Sequence, residues 1–250
     1  MPLRTLSATR YVTALREGGS LPAIVEGDDQ GLYVLKFRGA GQGPKVLAAE
    51  IIAGELARAA GLPVPEIVLM ELDADLARTE PDPEIQELIR ASAGLNVALD
   101  YLPGAVMFDP VAETPDALTA SRVVWFDALT VNIDRTARNT NLLMWHRALW
   151  LIDHGAALYY HHAGPGFAER ARDPFTAVKD HVLLPFASHL DEVDGPLAAA
   201  LTPDIIERAA GLVPREWIDD PAEYARFLVR RLESPRPFLE EALRARSQHL

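Results

Sequence analysis

Asn132-Ile133-Asp134-Arg135-Thr136-Ala137-Arg138-Asn139 is followed by two short apolar runs, Asn141-Leu142-Leu143-Met144 and Leu149-Trp150-Leu151-Ile152, the second of which delivers Asp153-His154-Gly155. Asp134 follows an apolar helical segment and an Asn-Ile turn, which places its carboxylate at a loop mouth where it can accept a hydroxyl proton. Asn139 offers a neutral amide oxygen of the kind that a hard cation such as Mg2+ prefers. Asn141 points the same way along an extended chain and is the competing ligand; the interval of five from Asp134 favours Asn139. Asp153 ends a buried strand just before Gly155 releases the chain, so it is the carboxylate expected to bind the same cation. A proton acceptor, an amide ligand and a carboxylate ligand in this order are the parts that phosphoryl transfer from ATP requires.

The upstream sequence adds the remaining parts. Leu32-Tyr33-Val34-Leu35-Lys36-Phe37 reads as a strand with one cation among apolar residues, a costly placement unless the lysine is paired or bound to ligand. Lys36 is therefore expected to hold the α- and β-phosphates while bridging to a helix carboxylate, although strand alternation also allows a solvent-facing lysine beside Val34. The helix that follows carries Glu50 and Glu55, which point about 140° apart around the axis, so one alone can be the partner. Glu50, nearer the helix middle, is preferred, with Glu55 in reserve. Gly18-Gly19-Ser20, at the first hairpin, can let backbone amides approach phosphates. Asp100 and Tyr101, in Leu99-Asp100-Tyr101-Leu102, form the connector whose backbone is expected to read the adenine edge.

Element patterns place these residues in an α+β chain with a sheet-rich first part and a helical second part. Tyr11 to Leu15, Ala23 to Glu26 and Leu32 to Phe37, joined by short turns, read as a three-stranded antiparallel meander. A helix from Pro44 to Gly61 shows an apolar face and stops at Gly61, Pro63 and Pro65. Strands are expected at Glu66 to Leu72 and Leu95 to Leu102, with a loop and a short helix between them. The expected organisation is two lobes, 1–102 as an antiparallel sheet plus helix and 103–250 as a helical lobe holding the Asp134 loop and the Asp153 hairpin. Pro115 to Val131 reads as the helix leading into that loop, and several helices are expected after Phe175, among them Asp204 to Ala210 and Ala222 to Leu232.

Bulk properties exclude other classes. With 250 residues and 49% hydrophobic content, the chain can bury a substantial core or two lobes sharing a cleft. A formal net charge of −12 opposes non-specific binding to nucleic acid or an anionic membrane. No apolar run reaches the roughly 20 residues needed to cross a bilayer, and the amino terminus has no apolar signal core, so a cytoplasmic location is expected. The chain has no cysteine, hence no disulfide, zinc-thiolate site or thiol nucleophile.

Taken together, Tyr33 to Gly39, Glu50 to Pro65 with its Gly-Leu-Pro-Val-Pro ending, Asp100 to Gly104, Asp134-Arg135 with Asn139, and Asp153-His154-Gly155 resemble the HipA-like kinase family, a bacterial branch of the protein-kinase-like fold related to phosphatidylinositol kinases. The likeness runs from about Leu21 to Tyr159. It implies a bilobal kinase fold, ATP and Mg2+ as cofactors, Asp134 as catalytic base, Asn139 and Asp153 as metal ligands and Lys36 as phosphate anchor. The implied reaction moves the γ-phosphoryl of ATP to a hydroxyl of a protein Ser/Thr or of a small molecule. The best-known members are longer toxins with an additional amino-terminal region, which is expected to be lacking here, so the toxin role is not carried over. Thr136 stands where relatives often carry His, His154 where many kinases carry Phe, and no phosphorylatable activation-loop signature is seen between Gly155 and Pro174. Two alternatives accompany this reading. One is an aminoglycoside-kinase-like phosphotransferase with Asp180, Asp191, Glu192 and Asp194 lining an acidic acceptor pocket; the other is a nucleotide-binding pseudokinase scaffold.

Overall fold

The computed structural model describes residues 2–15, 21–41 and 43–248. The expected phosphate-contacting residues Gly18, Gly19 and Ser20 lie outside the described residues.

Five strands form the first layer: β1 (Thr5–Ala14), β2 (Ala23–Gly27), β3 (Leu32–Lys36), β4 (Ile67–Leu72) and β5 (Gly94–Asp100). The expected antiparallel sheet is in fact a closed barrel in the order β1-β2-β3-β5-β4. Closure comes from a parallel pairing of Thr5, Leu6 and Ser7 with Leu69, Met70 and Glu71, while the other pairings are antiparallel. This pairing explains why β1 starts at Thr5 rather than at Tyr11. Leu6, Ala8, Tyr11, Tyr33, Leu35, Phe37, Val68 and Met70 fill the barrel, and Ile85 and Ile89 of α2 (Pro83–Ala91) join the same cluster. Alternation along β3 then leaves Val34 and Lys36 on the other face, toward a cleft. Arg4 ties one end of the barrel together by pairing with Asp29 and Glu66 and donating to the Tyr33 hydroxyl.

Helix α1 (Pro44–Ala59) begins with proline in its first turn and ends in a turn that uses Gly61 at φ 73°. The single apolar face expected of it does not describe it. Leu47 to Gly54 without interruption, then Leu56 and Ala57, are buried, the mark of a helix enclosed on all sides. Its apolar residues belong to the larger hydrophobic cluster, which continues through α3 (Ala117–Thr130), α4 (Leu190–Ala200), α5 (Pro203–Ala210), α6 (Pro221–Leu232) and α7 (Pro237–Ser247).

A second small sheet carries the cleft's floor, with β6 (Val106–Met107), β7 (Leu142–Trp145) and β8 (Ala148–Leu151) in the order β6-β7-β8. The β7–β8 turn has both His146 and Arg147 at positive φ, the backbone of a two-residue hairpin, without the glycine that usually supplies it. Between Asp153 and α4 the chain forms short 3-10 turns, Tyr159–Ala163, Phe167–Arg172, Thr176–Asp180 and Leu184–Phe186, where hydrophobic periodicity gave no signal.

Candidate active site

Lys36 is 9% exposed and its Nζ donates to Glu50 Oε2 at 2.5 Å and to Asp153 Oδ1 at 2.6 Å. One ammonium thus joins β3, α1 and the segment after β8. A fully buried carboxylate on α1 needs such a partner, because an unpaired charge in an apolar interior is expensive. Glu55, by contrast, pairs with Arg58 at 3.4 Å on its own helix. Burial pushes the Lys36 ammonium down, but the attraction of Asp153 and Glu50 outweighs it and leaves the pKa above the ordinary lysine value. Burial likewise pushes Glu50 up, and Lys36 with the nearby His154 reverses this, to about 2. His154 is itself fully buried, with Nδ1 3.5 Å from Glu50 Oε1 and no hydrogen bond to either ring nitrogen.

Asp134 sits across the same cleft. Asn139 Nδ2 donates to Asp134 Oδ2 at 2.6 Å and Asn141 Nδ2 reaches the same oxygen at 3.3 Å. Both amides that compete for the ligand role therefore turn their nitrogens to Asp134, which leaves each carbonyl oxygen available elsewhere. Partial burial raises the Asp134 pKa above the usual aspartate range, opposed by the two asparagines and reinforced by the Asp153 charge. Asp153 adopts φ 54°, a left-handed conformation uncommon for residues other than glycine, where the chain turns out of β8.

Lys36, Asp100, Tyr101, Asp134, Asn139, Asn141 and Asp153 all line one cavity of about 1270 Å3 between the barrel and the small sheet. That space exceeds an ordinary small-ligand pocket. Asp180, Asp191, Glu192 and Asp194 do not line it. Asp194 instead accepts from Trp125 Nε1 and pairs with Arg236, and Asp191 and Glu192 occupy the first turn of α4, so the acidic acceptor pocket suggested by the sequence is not formed by these residues. Among the described residues, no cluster of three or more His, Asp or Glu side chains is arranged to hold a metal, the adjacent His161 and His162 included.

A buried network that the sequence reading missed holds the Asp134 loop. Asp127, fully buried near the end of α3, accepts from Arg135 Nε at 2.5 Å and His181 Nε2 at 2.9 Å on Oδ2, and from Asn132 Nδ2 at 3.1 Å on Oδ1. Leu183 N donates to His181 Nδ1, which makes the His181 Nε2 the protonated nitrogen and the donor to Asp127. Arg135 also donates through Nη1 to the carbonyls of Asn141 and Ile152, so one guanidinium grips both chain segments flanking the hairpin. The available signal was Asp127 itself, a lone charge inside Val123-Val124-Trp125-Phe126-Asp127-Ala128-Leu129.

Solved structures similar to this one include two kinases. The Helicobacter pylori proinflammatory kinase CtkA aligns with a TM-score of 0.60 and 12% identity, covering 99% of each chain. The Golgi casein kinase with Mn and ADP bound aligns with a TM-score of 0.54 and 11% identity over 98% of this chain and 73% of that one. No curated protein matches the sequence. These likenesses define an α+β chain of the protein-kinase-like fold. The HipA-like kinase family matches residues 9–234, and the chain belongs to that family. Family and fold together support a kinase activity.

Proposed function

We propose that this chain is a Mg2+-dependent kinase that transfers the γ-phosphoryl group of ATP to an alcohol. The observation that carries the reading is the Lys36 ammonium held between Glu50 and Asp153 at the cavity that Asp134 and its two asparagines also line. Lys36 holds the ATP phosphates, kept charged and in place by Glu50. The connector at Asp100 and Tyr101 borders the same cavity and takes the adenine. Asn139 and Asp153 supply the amide and carboxylate oxygens suited to Mg2+, a cation that usually completes its shell with phosphate and water. Bound there, the ion neutralises charge on the β- and γ-phosphates. The Golgi casein kinase, with Mn and ADP bound, is consistent with nucleotide and divalent metal in a fold of this kind.

In the transfer itself the acceptor O–H bond breaks and its proton passes to Asp134. The acceptor oxygen bonds to the γ-phosphorus as the bridge to the β-phosphate breaks and ADP leaves. The raised pKa of Asp134 strengthens it as a proton acceptor, and its two amide donors fix the carboxylate without occupying Lys36. The test is thermal stabilisation by ATP with Mg2+ present or omitted, in the wild type and in Asp153→Asn and Asp134→Asn. Mg-dependent stabilisation is expected in the wild type, lost in Asp153→Asn and retained in Asp134→Asn, which loses turnover. No stabilisation of the wild type at millimolar ATP, or equal loss in both variants, refutes the assignment of roles.

A further inference from the structure

Among the described residues, two arginine or lysine side chains line the cleft, Lys36 and Arg138. Lys36 is engaged by Glu50 and Asp153, whereas Arg138 is exposed and has no ion pair or hydrogen bond among the described residues. Its backbone is not loose. Thr136 N donates to Asn139 O at 3.0 Å and Asn139 N donates back to Thr136 O at 3.2 Å, a reciprocal pair that fixes a tight turn with Ala137 and Arg138 at its tip. The turn's base is anchored too, because Thr136 bridges to His181 and Arg135 is buried against Asp127. Arg138 is also the immediate neighbour of Asn139, whose amide touches Asp134 at 2.6 Å. An unpaired guanidinium is therefore carried by a rigid turn beside the residue that receives the acceptor's proton. In a chain of net charge −12 the long-range field disfavours anionic molecules, so local capture of one needs such a fixed cation.

We infer that Arg138 selects an acceptor carrying a carboxylate or phosphate group close to the hydroxyl that is phosphorylated. The inference rests on the kinase reading of the site and names its acceptor class. Ile133, Tyr159 and Met107, each exposed by more than a third, line the same mouth, so the remainder of the acceptor meets an apolar rim. The anionic group has two sources, an acidic side chain in a peptide or the phosphate of a small alcohol. Arginine suits either, since its planar fork matches both groups in two-point contact.

The experiment measures phosphoryl transfer from Mg-ATP to four probes: a serine peptide flanked by glutamates, the same peptide flanked by lysines, glycerol 3-phosphate, and glycerol. Wild type, Arg138→Gln and Arg138→Glu are compared, each with its thermal stabilisation by Mg-ATP measured in parallel. In the wild type one anionic probe is expected to exceed its partner by about tenfold in kcat/KM, and which pair shows this identifies the source. Arg138→Gln should erase the preference and Arg138→Glu should turn it toward the lysine peptide. An equal rate within both pairs, a preference unchanged in Arg138→Glu, or transfer to none of the four probes by a protein that Mg-ATP stabilises overturns the inference and leaves the kinase reading standing. Absence of Mg-ATP stabilisation in the wild type removes the kinase reading, and this inference with it.

Discussion

Replacing Asp127 by asparagine preserves shape and removes one charge from the network under the Asp134 loop. The native carboxylate accepts on both oxygens, from Asn132 on Oδ1 and from Arg135 and His181 on Oδ2. An asparagine must aim its NH2 at one of these donor sets whichever way the amide is turned, so a donor faces donors. Arg135, 1% exposed, then loses the carboxylate it pairs with. Removing one partner of a buried ion pair costs about 3–5 kcal/mol, a large share of a typical stability of about 5–15 kcal/mol. For a chain of this size the loss lowers Tm by about 10 °C. The assay is urea unfolding followed by circular dichroism, on Asp127→Asn, Arg135→Met and the double variant. If the pair acts as one unit, the double variant is less destabilised than the sum of the singles by at least about 1 kcal/mol. A loss below about 1 kcal/mol in Asp127→Asn, or strict additivity, refutes the network as the anchor of the loop.

Acid should weaken the fold through Glu50. Its pKa, about 2 in the folded protein against 4.5 ordinarily, is depressed, so its stabilisation is complete above about pH 4.5 and is lost as pH falls toward 2; urea midpoints measured across that window should decline, with a shallower slope in Glu50→Gln. Arg231 donates to the carbonyls of Ala128, Leu129, Ala171 and Asp173 with no carboxylate partner among the described residues, and burial lowers its pKa to about 10. Arg231→Met should cost about 2–4 kcal/mol in urea unfolding by stranding buried carbonyls, and Arg231→Lys should rescue little because a compact ammonium lacks the planar fork. Glu223→Ala frees the amides of Gly166 and Ala168 that its carboxylate now accepts, and faster hydrogen exchange confined to that segment is the expected outcome; unchanged exchange there contradicts the contact.

The parts legible in the sequence are those whose energetics are local. A lysine inside an apolar strand needs a partner wherever the chain goes, and β3 with Lys36 follows from that rule. Proline at the start of α1 and Gly61 after its end mark the helix, and Asp134, Asn139 and Asp153, singled out by their spacing, line one cavity. Barrel closure was not legible, because Leu6 meets Met70 through a parallel register set by packing between segments far apart in sequence. The chain from Tyr159 to Phe186 has no helical or strand period to read, since 3-10 turns are too short to show one. In the sequence Arg135 stands simply as the residue after Asp134. Its burial emerges only when Asp127 and His181 arrive from both sides.

The unforeseen contacts share a purpose with the foreseen ones. Arg231 of α6 holds the last-turn carbonyls of α3, directly before the Asp134 loop, and with the same guanidinium holds Ala171 and Asp173 in the segment after Asp153. Glu223, earlier on α6, secures Gly166 and Ala168 of that segment, and Arg172 reaches back to Glu233 and Pro235 beyond α6. In kinases whose activation segment is ordered by phosphorylation, an added phosphate supplies the charge that arginines capture. Here carboxylates, guanidinia and backbone groups already in the chain satisfy the segment, and Arg135 ties the Asp134 loop to the hairpin that presents Asp153. The Asp134 loop and the segment after Asp153 are therefore both held by buried ionic groups, which makes their integrity more sensitive to Asp127 and Arg231 than to any residue exposed at the mouth of the cleft.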